Sequence, residues 1–229
     1  MPSSVAIVVP VGPKQLHARW LAECLESIVA QSDPADFVVI VDDMHGITDE
    51  HVEPLSGMDY TIYRPPWLLG VGSAFNHGCA VAFNAGADLA LMMGADDALG
   101  PQLVAGLRRQ YEREGGRAGY YWHDTHYQDG NQQRLPCNNA SMTPGFLRTT
   151  GGLPVEAAAG GMDAALISAM LVHWPESLIH VDEPGAFVWS RQHPDQERER
   201  LRIYDGMNGA VRNVVTNTYA PAAWGRSLP

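Results

Sequence analysis

Cysteine is scarce and unpatterned in this chain: three in 229 residues, Cys24, Cys79 and Cys137. An odd, scattered set excludes a disulfide framework, and reduced thiols in a cytoplasmic protein are the simplest expectation. Nine histidines are present, yet none stands in a His-x-x-x-His arrangement and no Cys-x-x-Cys occurs, which removes support for a zinc site. No apolar run approaches the length of about 20 residues that crosses a bilayer, and no signal peptide is visible, so neither secretion nor a membrane partner is expected. Gly206 and Gly209 interrupt the only late helical candidate, leaving no basic amphipathic anchor. Positive charge is the minority: 15 Lys and Arg against 26 Asp and Glu give a net −11. That balance argues against a broad basic surface for duplex nucleic acid or anionic lipid, without excluding a local basic groove or a nucleic acid acceptor. No internal repeat appears, and 45% apolar content in 229 residues suffices for one sizeable core.

What is present begins with Leu89-Ala90-Leu91-Met92-Met93-Gly94-Ala95-Asp96-Asp97. An apolar run ends there on two adjacent carboxylates. At the carboxyl end of a central strand such oxygens suit Mg²⁺ or Mn²⁺ carrying a phosphate. The same two acids also suit capping of a helix starting near Pro101. A second run, Phe37 to Val41, closes on Asp42 and Asp43, and a first, Val5 to Val9, closes on Pro10-Val11-Gly12. Three such runs separated by helix-length segments predict an α/β sheet with one functional edge. Leu16, Trp20, Leu21, Cys24, Leu25, Ile28 and Val29 recur at helical spacing and predict an amphipathic core helix over about 15–31. Gly70-Val71-Gly72-Ser73-Ala74-Phe75-Asn76-His77-Gly78 opens a further helix. Its small residues fit either an anion at a helix amino terminus or close helix packing.

Taken in order, Val8-Val9-Pro10-Val11, Cys24-Leu25-Glu26-Ser27-Ile28, Val41-Asp42-Asp43, Gly72 to Gly78 and Ala95-Asp96-Asp97 resemble glycosyltransferase family 2. Gly151-Gly152-Leu153-Pro154, Gly161-Met162-Asp163 and Ser190-Arg191-Gln192-His193 extend the similarity. The resemblance implies a GT-A fold, a Rossmann-like mixed sheet flanked by helices in a single domain. It implies a nucleotide-sugar-binding half over 1–110 and an acceptor half over 111–216, followed by a tail over 217–229. It also implies an inverting transfer of sugar from a nucleoside-diphosphate donor, UDP-sugar favoured, to an acceptor hydroxyl, with Mn²⁺ or Mg²⁺ as cofactor.

Residue by residue, the resemblance places Asp42 on the nucleobase and Pro10 and Val11 in the loop lining base and ribose. Gly12, Asp43, Gly72, Asn76 and Ala95 complete the donor site. Asp96 matches the second acid of the Asp-x-Asp motif and is the metal ligand, Asp97 supports it, and His193 is a further metal or diphosphate ligand. Asp163 matches the catalytic base, though it also reads as a solvated acid in the first turn of the helix carrying Leu166, Ile167, Met170 and Leu171. His193 likewise reads as a loop histidine before Pro194 and a charged helix, Asp195 to Arg202. Two departures stand out: Gly94 replaces the motif's first acid, and Phe75 replaces a frequent arginine. They keep open a degenerate nucleotide-sugar-binding protein. A nucleotidyltransferase is the other alternative, although Gly12-Pro13-Lys14 is too short for its basic glycine loop.

In the second half, Gly119 to Asp124 reads as a strand, Asp129-Gly130-Asn131 as a turn and Asn138 to Thr150 as polar loop. A helix over about 162–173 and strands near 178–182 and 186–190 follow. His123, Asp124 and His126 fit either an acceptor-site lining or surface histidines at a strand end. Loops here should select the acceptor, a soluble protein, nucleic acid, glycan or metabolite.

Overall fold

A strand that must be covered on both faces is apolar at every position, and β1 (Val5–Val11) has this character, with all its residues but Pro10 buried. Val5, Ile7, Val9 and Val11 enter one core layer, while Ala6 and Val8 enter the other. The computed structural model describes residues 3–127, 130–134, 136, 139–154 and 162–191, with the backbone alone at 162–164. After β1 come α1 (Leu21–Val29), β2 (Phe37–Asp42), β3 (Tyr60–Tyr63), α2 (Val71–Asn84), β4 (Leu89–Met92), β5 (Ala98–Leu99) and α3 (Leu103–Arg113). The second half contributes β6 (Tyr120–Trp122), β7 (Asp124–Tyr127), β8 (Gln132–Gln133), β9 (Ser141–Met142), α4 (Pro144–Thr150), α5 (Met162–His173), β10 (Leu178–His180) and β11 (Phe187–Ser190).

The main sheet has the order β10-β6-β9-β4-β1-β2-β3, and a smaller one the order β5-β11-β7-β8. β1 pairs in parallel with β2 and β4, β2 with β3, and β10 with β6, whereas β9 runs antiparallel to both β4 and β6. Six strands therefore point their carboxyl ends to one edge. This is the mixed, helix-flanked α/β sheet that the run pattern predicts.

Four local expectations change. The helix expected over 15–31 divides into a 3₁₀ turn, Gln15–Ala18, and α1. His17 packs so closely on Gly12 that a Cβ there would lie 2.3 Å from its Nδ1, which draws this turn towards the sheet edge. Of the polar loop expected over 138–150, residues 139–150 are described and are not a loop: Asn139, Ala140, Ser141 and Met142 are buried and feed β9, and α4 follows behind a Thr143 cap bonded to the Phe146 amide. The strand expected over Gly119–Asp124 changes sheets at His123, so β6 and β7 belong to different sheets. Finally, Asp96 and Asp97 do not cap α3, because β5 intervenes and Gln102 occupies the cap position without a side-chain bond. Asp129, the helix expected over Asp195–Arg202 and the tail over 217–229 lie outside the described residues.

The glycine-rich start of α2 serves packing further along the helix. A Cβ on Gly78 would sit 2.3 Å from Val8 Cγ1 and 2.8 Å from Val41 Cγ2, both rigid branched side chains of central strands. Gly78→Ala should therefore overpack the layer and destabilise the fold by about 1–3 kcal/mol, read as a lower urea midpoint. Adding Val8→Ala should return part of that loss, since neighbouring sites couple. A Gly78→Ala chain as stable as the parent would show that the helix can lift off without penalty.

Candidate functional site

The carboxyl edge gathers the acids, each in a different chemical situation. Asp42 is nearly fully buried. Its Oδ1 accepts the amides of His45 (2.8 Å) and Gly46 (2.9 Å), and its Oδ2 accepts that of Ile47 (2.9 Å). Arg64 Nε lies 3.3 Å from Oδ2. A carboxylate offers about four acceptor positions, and here each has a partner. Asp42, expected at the nucleobase, thus builds the loop after β2 with its own oxygens. Asp43, also buried, accepts the amides of Leu69 (2.7 Å) and Gly70 (2.9 Å), fastening the approach to α2 against β2.

Asn76, expected at the donor site, bonds to the chain itself. It is buried, its Nδ2 donates to Leu153 O (2.7 Å) and its Oδ1 accepts Leu153 N (2.8 Å). This side chain mimics a strand pairing that ties α2 to the turn after α4, so it joins the two halves of the chain. Gly72 lies buried in the first turn of α2. Val11 has its side chain in the core and its carbonyl bonded to Asp43 N. Pro10 is half-buried, and Gly12 offers its carbonyl to His45 Nδ1 at 2.9 Å.

At the end of β4 the acid loop is held from three sides. Asn139 donates to Asp97 Oδ2 (2.5 Å) while its own Oδ1 accepts Gly94 N (3.1 Å). The Arg191 amide donates to Asp97 Oδ1 (3.0 Å), and the Arg191 guanidinium donates to Asp96 O (3.0 Å) and Glu23 Oε2 (2.5 Å) while lying over Trp20. Burial, reinforced by the charge of Asp96, pushes the Asp97 carboxyl up to about 7. Gly94, the departure from the motif, has a physical reason: a Cβ there would meet Asp96 Oδ1 at 2.9 Å and Asp97 Oδ2 at 3.1 Å. The carboxylates occupy the space that a first acid would need. Ala95 is nearly buried between them and the core.

For a divalent ion, the donor chemistry fits at one residue. Mg²⁺ and Mn²⁺ take hard oxygen ligands and are commonly held by one or two carboxylates together with substrate phosphates. Asp96 carries such oxygens, and those of Asp97 bond to Asn139 and Arg191. Among the described residues no three His, Cys, Asp or Glu side chains converge as a cage. His193 and the side chain of Asp163 lie outside the described residues; the Asp163 backbone stands in the first turn of α5.

Sequence reasoning missed several neighbours of this loop. His17 stands between Gly12 and the acids, its basicity lowered by burial and partly restored by the Gly12 carbonyl and Asp96. His45 and His51 meet edge to face at 5.8 Å and, with Gln15, Ala18, Arg19 and Gly46, line a cleft of about 360 Å³. Asn139 and Arg191 arrive from 42 and 94 residues beyond Asp97, a separation that no local pattern spans.

His123 corrects the surface reading of the second-half histidines. It is fully buried where the chain changes sheets, and burial lowers its pKa from 6.5 to about 4. The unfolded chain then binds a proton below about pH 6.5 that the folded chain refuses until about pH 4. Stability should fall through that window by up to about 3 kcal/mol. His123→Phe should flatten this acid limb of a stability profile, and an unchanged limb would place its cause elsewhere. Asp42→Ala should cost about 3 kcal/mol by orphaning buried amides and Arg64. Retained stability with a flattened nucleotide preference would instead return Asp42 to the base.

The crystal structure of S. aureus TarS 1-349 matches with a TM-score of 0.65 at 14% identity, covering 96% of this chain and 68% of that one. The same fragment in complex with UDP-GlcNAc gives 0.66 at 13%, covering 96% and 69%. TarS itself gives 0.65 at 13%, covering 96% of this chain and 41% of its own. At such identity the likeness carries the architecture alone, a GT-A fold. No curated protein matches the sequence. The profile of Glycosyl transferase family 2 matches residues 7–162, a span that takes in β1 to β9, the acid loop and its Asn139 support. The chain belongs to glycosyl transferase family 2.

Proposed function

We propose that the chain transfers a sugar, with inversion, from a nucleoside-diphosphate donor to an acceptor hydroxyl, and that the nucleotide is uridine diphosphate. The observation that carries this reading is the convergence of Gly12, Asp43 and the supported Asp96 loop on one sheet edge, in a chain of glycosyl transferase family 2. The TarS structures in complex with UDP-GlcNAc and with UDP support the choice of nucleotide. The nucleotidyltransferase alternative gives way to the family match.

In this mechanism the ends of β1 and β2 receive the nucleoside. Asp96 presents its carboxylate where the diphosphate leaves, and Asn139 and Arg191 keep that loop in place. Mn²⁺ or Mg²⁺, held by Asp96 and diphosphate oxygens, would supply charge neutralisation for the leaving group. The acceptor oxygen forms its bond to the anomeric carbon as the bond to the diphosphate breaks, and its proton passes to Asp163. His193 is proposed as a further diphosphate contact. The proposal includes a soluble acceptor and a cytoplasmic location; among the described residues no helix is long and apolar enough to cross a membrane.

Asp96→Asn keeps the side-chain shape and removes its charge. Calorimetry should show Mn²⁺-dependent UDP-sugar affinity falling at least about tenfold, or about 1.4 kcal/mol, with the melting temperature retained. Asp163→Asn should leave that affinity intact and slow transfer at least about a hundredfold. Undiminished metal-dependent donor binding in Asp96→Asn rejects the metal assignment. Normal transfer by Asp163→Asn removes it as the base.

A further inference from the structure

The acceptor end of the same edge carries a cluster that the donor chemistry does not use. Trp122 ends β6 and His180 ends β10, paired in register, and their rings lie 4.1 Å apart. His180 Nε2 lies 3.0 Å from Asp124 Oδ1. The carboxylate accepts, so Nε2–H donates, and Nδ1 accepts from Arg134 Nη2 at 3.5 Å. Arg134 reaches Asp124 (3.7 Å) and Asp182 (2.8 Å), itself 62% exposed at the rim.

Position ties this cluster to the reaction. Neighbouring strands lie about 4.8 Å apart, so β6, two places from β4 in the sheet order, is about 10 Å from the strand that bears the Asp96 loop. Trp122 and Leu178 pack on the core layer that also holds Leu166 and Met170 of α5. Only the link Trp174–Ser177 separates the end of α5 from the start of β10. The helix end at His173 is therefore near the amino end of β10, and about 18 Å of helix separates it from the first turn, which carries the Asp163 backbone. The cluster and the helix of the proposed base share one core layer.

The chemistry selects the occupant. An aromatic ring beside a carboxylate acceptor and an exposed guanidinium donor suits a ring with an apolar C–H face and neighbouring hydroxyls. Asp124 and Asp182 outweigh the single charge of Arg134, which disfavours a phosphate or carboxylate on the acceptor. We infer that Trp122, Asp124 and His180 form the acceptor subsite and that it binds a neutral pyranose residue. This inference rests on the acceptor-hydroxyl reading above.

The test is saturation-transfer NMR with the full chain and millimolar methyl glycosides of glucose, galactose, mannose and N-acetylglucosamine, with and without UDP and Mn²⁺. Glycerol 3-phosphate and a Ser/Thr-containing peptide are contrasting probes. At least one pyranoside should receive saturation, and its half-saturation should rise at least tenfold in Asp124→Asn and His180→Gln, both with unchanged UDP affinity. Trp122→Phe, which keeps an aromatic face, should retain more binding than Trp122→Ala, and melting temperatures identify any variant that fails to fold. No contact with any pyranoside, stronger contact with glycerol phosphate or peptide, or pyranoside binding unaffected by Asp124→Asn and His180→Gln overturns the subsite. UDP binding is read separately on the same samples, so its absence counts against the donor reading alone.

Discussion

One buried carboxyl group holds the candidate site together. Asp97 lies below the turn after β4, and its two oxygens collect a side-chain amide from Asn139 and a main-chain amide from Arg191. Neither partner comes from the main-sheet strands flanking β4 on the β1 side: Asn139 precedes β9, and Arg191 follows β11 of the smaller sheet. The position of Asp96 follows from this arrangement, because its own carbonyl is gripped by the same arginine. Asp97 thus sets the place where its neighbour's charge is presented, while burial and that very charge make its own ionisation costly.

The other buried acids extend the principle. Asp42 and Asp43 end an apolar strand, and the amides of residues 45–47 and 69–70 bond to their oxygens. Loops at a sheet edge lack ladder partners for their N–H groups, and a carboxylate that accepts two or three of them organises such a loop better than water does. An acidic composition is therefore partly directed inward here. The net charge of −11 includes acids whose oxygens face the chain's own amides.

Much of the sheet was legible for the same reason that it is stable. β1, β2 and β4 are covered on both faces, so burial demands continuous apolar sequence, and such runs are visible without any partner information. β9 was not legible: two residues between Asn139 and Thr143 carry no periodicity, and only their burial between β4 and β6 makes them a strand. Residue identity at the edge was readable where residue role was not. Asp42 and Asn76 stand where the motifs place them, but hydrogen bonds that no motif shows, local for Asp42 and 77 residues distant for Asn76, engage their polar atoms. Gly94 illustrates the converse, since an apparent loss from a motif becomes intelligible once the carboxylates beside it are seen to fill its space.

In a sheet whose strands all run one way, the active edge only ever sees chain leaving strands; every incoming segment enters from the opposite side. The reversal of β9 breaks that rule at one place. Its incoming segment arrives at the active edge, directly beside the outgoing end of β4, and delivers Asn139 to the acid loop from the side of the proposed acceptor. A two-residue strand thereby gives the second half of the chain a direct mechanical hold on the Asp96–Asp97 loop, so that the proposed donor and acceptor territories would meet in a shared piece of backbone.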